Sequence, residues 1–121
     1  AISDLERWED TYTRFLKAKD EKLMERINGL FSFVSFSFLK EQKNGGEKLT
    51  CFCTVNGVPY GDVNKAGKLN AGLDIINAIC RTKGISAPIF IDNAESVNRI
   101  IPTISQVINL RVSFDKSLTI Q

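Results

Sequence analysis

The chain has 121 residues, 43% hydrophobic and 25% charged, a composition that fits one ordinary folded domain and excludes a disordered or fibrous chain. Its net charge of +2 is too small to imply nucleic-acid binding, and no apolar run approaches the roughly 18 residues that span a bilayer. The absence of histidine removes Ser-His and Cys-His catalysis, and three cysteines match no disulfide framework or zinc spacing.

The opening residues Ala1 to Glu6 are too acidic and polar for a signal peptide, so a cytoplasmic setting is expected. Ser3 and Glu6 have capping-box spacing and predict the start of a long helix over residues 1–30, with Asn28-Gly29 as its stop. Leu5, Trp8, Tyr12, Leu16, Leu23, Ile27 and Leu30 keep to one side of a 3.6-residue period, with mixed charges between them. The helix reads either as an ordinary amphipathic helix or as the root of a coiled coil.

Over residues 31–60 the period becomes two, with Val34, Phe36 and Phe38 alternating with serines, then Leu49, Cys51, Cys53 and Val55 alternating with Thr50, Phe52 and Thr54. Two antiparallel strands are expected, turning at 42–47 around Asn44-Gly45-Gly46, with a second tight turn at Asn56-Gly57. Cys51 and Cys53 share a strand face with Leu49 and Val55, so packing in the core is expected rather than metal or redox chemistry.

Asn64 predicts the cap of a helix from Lys65 to Lys83, with Leu69, Leu73, Ile76 and Cys80 on one face and Gly84 ending it. Pro88-Ile89-Phe90-Ile91 then reads as a buried strand ending in Asp92-Asn93-Ala94-Glu95. Such a strand presents a carboxylate where P-loop nucleotidases hold Mg²⁺, though Asp-Asn also suits a plain turn after a buried strand. A short helix over 96–101, a strand over 106–113 and a closing hairpin turning at Asp115-Lys116 complete an α/β chain.

Taken together, the meander, the loop and helix beginning at Tyr60-Gly61-Asp62-Val63-Asn64-Lys65-Ala66-Gly67-Lys68, and the strand ending at Asp92 resemble the C-terminal lobe of an ABC-type ATPase head. The similarity is to the SMC and double-strand-break-repair ATPases. It covers nearly the whole chain in layout, with residues 1–30 as coiled-coil root and residues 61–121 as signature loop and helix, Walker B strand and hairpin. It implies that Asp92 binds Mg²⁺ and that Asn64, Lys65, Ala66, Gly67 and Lys68 meet the γ-phosphate of ATP held by a second head. A helix N-terminus offers free amides and a positive dipole end to phosphate.

Three departures stand out. Asn64 replaces the family's serine, and Lys65 and Ala66 replace two glycines, which limits how closely backbone approaches phosphate. Asn93 stands where the family has a glutamate that polarises the attacking water; an amide orients water but takes no proton, which leaves Glu95 as the candidate base. Glu95 otherwise caps the next helix. The family's switch histidine has no counterpart. Ser96, Val97 and Asn98 fall in the loop that crosses between heads in this family.

No Gly-Lys-Ser or Gly-Lys-Thr run exists to wrap the α- and β-phosphates, so this chain alone is not expected to hydrolyse ATP. The resemblance implies as partners the N-terminal P-loop lobe, a second head as homodimer, and DNA; Lys40, Lys43, Lys48 and Arg81 are too scattered to define a DNA-binding face. Two other readings stay open: a degenerate head that binds nucleotide without turnover, and a stand-alone α/β interaction module using its long helix.

Overall fold

The computed structural model describes residues 1–41 and 47–120 and is mixed α/β. The turn expected at 42–47 falls largely outside them. The chain forms two compact units, Ala1–Pro59 and Tyr60–Gln121.

In the first unit, helix α1 (Ile2–Asn28) follows the apolar period, yet none of its residues is buried. Every residue before Asp20 is exposed; Asp20, Met24, Ile27 and Asn28 are half-buried. The expected capping box does not form, because the helix begins ahead of Ser3 and carries no side-chain cap. With Ser3 already inside the helix, its hydroxyl has left the position that reaches the free end amides. The stop does fall at Asn28-Gly29, but Gly29 has a right-handed φ of −64°, so no left-handed glycine ends the helix. Asn28 instead joins α1 to strand β1 (Val34–Glu41): its carboxamide accepts from Phe36 N–H at 2.8 Å and donates to Phe36 C=O at 3.0 Å. Phe31 and Phe36 rings pack beside this clasp, 5.3 Å apart.

Strand β1 pairs antiparallel with β2 (Glu47–Val55), which pairs with the short β3 (Val58–Pro59). Val34 faces Val55 across the first pair, and both are buried. The second turn matches its sequence: Asn56 and Gly57 take φ of 50° and 80°, the pair of left-handed conformations a two-residue hairpin requires. Cys51 departs from the expected core packing, being exposed, and Cys53 is half-buried. A strand face is buried only where another layer covers it. Burial first, and then the neighbouring Cys51 thiol, push the Cys53 thiol upward, which keeps it protonated and poorly nucleophilic at neutral pH.

The second unit is built on helix α2 (Lys65–Lys83), whose limits coincide with those read from the sequence. Asn64 caps it, its carboxamide oxygen accepting from Gly67 N–H at 2.8 Å. Gly84 closes it in the left-handed conformation, φ 64°, with its N–H on Cys80 C=O. Open space surrounds the position a Cβ would take at Gly84. Gly84→Ala should therefore cost about 1 kcal/mol through backbone conformation alone, measurable as a lower urea midpoint with unchanged m-value. Arg81 and Lys83 in the last turn complement the helix dipole.

Strand β4 (Ile89–Ile91) pairs in parallel with β5 (Val107–Asn109). Leu73 of α2, Ile91 and Ala94 form the buried centre, packed by Leu69, Ile76, Ile89, Ile100, Ile101 and Val107. The expected helix over 96–101 is absent. A single 3₁₀ turn, Ala94–Ser96, is followed by chain that is neither helix nor strand until Val107. The reason lies in α2. Asn70 donates to Arg99 C=O at 2.9 Å and accepts from Ile101 N–H at 3.0 Å, while Asn77 donates to Pro102 C=O at 2.9 Å and accepts from Ile104 N–H at 3.2 Å. These backbone groups are satisfied by side chains of α2, so a helix has nothing to gain from them.

The expected closing hairpin is absent too; from Leu110 to Ile120 the described residues form no strand. Val112, Phe114, Leu118 and Ile120 are almost wholly exposed. A two-stranded hairpin without a surface to cover is marginal in water. Asp115 instead gathers a local turn, its carboxylate accepting from Ser113 at 2.9 Å and Thr119 at 3.2 Å.

Candidate functional site

Two groups of residues carry the chemistry read from the sequence, and both belong to the second unit. The first is the N-terminal end of α2. No acid lies in its first turn, while Lys65 stands at its first position, where the helix dipole already makes the potential positive. Asp62 sits just ahead, in the 3₁₀ turn Tyr60–Asp62. Asn64 is exposed and spends its carboxamide oxygen on Gly67, which leaves its NH₂ group pointing outward for a ligand oxygen only if the cap is kept. Ala66 is half-buried in the first turn.

Gly67 is fixed by packing: a Cβ there would run into Val63 Cγ1 and press on Asn64 Oδ1. The side chain of Lys68 turns back on the loop, its ammonium donating to Gly61 C=O at 3.2 Å and lying 5.5 Å from the Tyr60 ring centre. Its charge thus holds the loop, so Lys65 is the cation of this end that remains solvated. Asn64→Ala should destabilise the chain by about 1 kcal/mol through loss of the cap, and Asn64→Ser should restore most of it, read from thermal unfolding.

The second group is the turn after β4. Buried positions recur every third residue, at Ile91, Ala94 and Val97, and the residues between them, Asp92, Asn93, Glu95 and Ser96, are exposed, as is Asn98 just after. The turn is pinned at both ends to the chain after β5: Ala94 N–H donates to Leu110 C=O at 3.1 Å, and Leu110 N–H to Ile91 C=O at 2.8 Å. Asp92 Oδ1 accepts from Asn93 N–H at 2.9 Å, which aims the carboxylate back over the turn and leaves its second oxygen available. Asn93 adopts the left-handed conformation, φ 56°, that asparagine tolerates better than most residues. Ser96 closes the turn by donating to Asn93 C=O at 2.9 Å.

Glu95, in the first turn of the 3₁₀ segment, has its carboxylate in solvent. Among the described residues neither Asp92 nor Glu95 takes part in an ion pair, and no group of three or more acidic, histidine or cysteine side chains could hold a metal by itself. One carboxylate with a free oxygen does fit Mg²⁺ of the kind that borrows its remaining ligands from phosphate and water. The turn sits at the C-terminal end of parallel strands, where open α/β sheets place ligands.

An apolar groove of about 400 Å³, lined by Ile76, Ile79, Cys80, Ile85 and Pro88 among others, lies at the opposite, N-terminal end of β4. It has no charged group and belongs to packing rather than chemistry. Sequence reading missed Asn70 and Asn77. Their signal was available: two asparagines seven residues apart beside the apolar face of a helix, where asparagine is a poor helix former unless its amide has work elsewhere.

Among the described residues, no helix is long and apolar enough to cross a membrane. Comparisons with protein-family models, with curated proteins and with solved structures find no match to this chain.

Proposed function

We propose that the chain is the C-terminal half of an SMC-like ATPase head, in which Asp92 serves Mg²⁺ in one nucleotide site and the Asn64 loop serves the γ-phosphate in the site of a second head. The observation that carries this reading is the exposed acidic turn, held on buried Ile91, Ala94 and Val97 at the C-terminal end of a parallel strand that follows directly from α2. A helix end with no acid in its first turn and a solvated Lys65 supports the second half of the reading.

When bound, MgATP would supply the charge that bridges two heads and the phosphate that is hydrolysed. Asp92 would present its free carboxylate oxygen to the metal, Glu95 would take the proton of the attacking water, and Asn93 would orient that water. Asn64 and the amides of Lys65 and Ala66 would donate to phosphate, with Lys65 adding charge. The P-loop comes from an N-terminal lobe, and the exposed apolar stripe of α1, including Leu5, Trp8, Tyr12 and Leu16, suits a coiled-coil partner helix. DNA as ultimate substrate follows from the resemblance, and a cytoplasmic location from the acidic, polar opening residues Ala1 to Glu6.

The test is steady-state ATP hydrolysis and MgATP-dependent dimerisation by this chain co-expressed with its P-loop lobe. Turnover with nucleotide-dependent dimers is expected. Absence of both hydrolysis and MgATP-dependent dimers would leave a plain interaction module.

A further inference from the structure

Asn70 and Asn77 make the same clasp twice. In each, the carboxamide NH₂ donates to the carbonyl of one residue of the non-helical segment and the carboxamide oxygen accepts from the N–H two residues later, at 99 and 101 and then at 102 and 104. The two spacings match. Seven helical residues advance about 10.5 Å and return to within about 20° of the same face. Three extended residues advance about 10 Å. The segment therefore lies parallel to α2 in one register, its backbone polar groups met by the helix as a neighbouring strand would meet them. Ile100 and Ile101 pack on the core from this position, and Asn77 is buried while Asn70 is half-buried.

We propose that Asn70 and Asn77 form a two-point carboxamide rail on α2 that holds the non-helical segment 99–104 along the helix and thereby fixes the acidic turn relative to the N-terminal end of α2. The turn is tied at its start by β4 and Leu110, and at its far end by Arg99, whose carbonyl is bound six residues along α2 from Asn64. Both asparagines are positioning residues. Their role in turnover rests on the nucleotide reading above; the rail itself does not.

Amide hydrogen exchange and backbone chemical shifts of the 121-residue chain, read by NMR, test it. Ile101 and Ile104 should be protected although neither lies in a helix or strand. Asn70→Ala should speed exchange at Ile101 by about tenfold, the worth of one hydrogen bond, and shift the Ala94 to Val97 resonances, while Leu110 keeps its protection. Because Asn77→Ala opens a buried site and can unfold the unit, the half-buried Asn70 carries the test. Unprotected Ile101 in the wild type, acceleration spread evenly over the unit, or unmoved Ala94 to Val97 resonances would each overturn the rail.

With the P-loop lobe present, Asn70→Ala should lower kcat by about tenfold with KM for MgATP within about twofold, since Asn70 positions and does not bind. An unchanged kcat beside a local exchange effect would overturn the positioning role. Wild-type protein without hydrolysis, but with the local exchange pattern, would uphold the rail and remove the nucleotide reading.

Discussion

In the proposed ATPase head, Asp92→Ala should abolish magnesium-dependent ATP hydrolysis, and Glu95→Gln should lower kcat by about 100-fold or more while leaving MgATP binding intact. The two variants fail differently because they touch different atoms. On that reading Asp92 would offer a carboxylate oxygen to the metal, so its loss would weaken both metal binding and chemistry. Glu95 would offer a proton acceptor, and glutamine keeps its shape and hydrogen-bonding reach without the basicity. Glu95→Gln should therefore accumulate MgATP-bound dimers, visible by size-exclusion chromatography, where Asp92→Ala should not. Glu95 is exposed and Glu95→Gln should not alter the melting temperature, whereas Asp92→Ala also loses the bond from Asn93 N–H and should lower it slightly. A Glu95→Gln rate equal to wild type would assign the chain to a head that binds without this base, and Glu95 would lose its role.

Leu73→Ala should destabilise the chain by about 3 kcal/mol, a large share of what a unit of this size holds in total. Leu73 is 3% exposed and clusters with Ile91 and Ala94, two of the three buried residues that seat the acidic turn. Truncation removes apolar area and opens a cavity that Ala94, already small, cannot fill. Phe114→Ala provides the control, since Phe114 is fully exposed and its loss should change stability by no more than about 0.5 kcal/mol. Thermal unfolding followed by circular dichroism decides the matter. Comparable melting temperatures for the two variants would show that the Leu73 cluster is not the core of its unit.

Local chemistry was legible wherever a residue's role depended on its neighbours in sequence. The limits of α2 follow from Asn64 and Gly84, because a cap and a left-handed stop act within one helical turn. The Asn56-Gly57 hairpin and β1 to β3 follow from the same short-range rules, as does a strand ending at Asp92. Where the sequence misled, a distant partner had taken over the backbone. Residues 96–101 read as helix, yet Asn70, 29 to 31 positions away, takes up the Arg99 carbonyl and the Ile101 amide of that segment, and Asn77 does the same just beyond it at Pro102 and Ile104. Ser3 read as a cap, and the helix simply starts before it.

The sequence by itself determined one capped helix end and one acidic turn, the two groups on which the proposed phosphate, metal and proton chemistry rests. Only the tertiary structure decided how they are presented. It turned Lys68 onto its own loop and left Lys65 in solvent, and it buried Ala94 so that Asp92 and Glu95 stand clear. The reason is physical. Periodicity records which side of an element is apolar, but a hydrogen bond between a helix side chain and a remote backbone leaves no period in the chain that makes it.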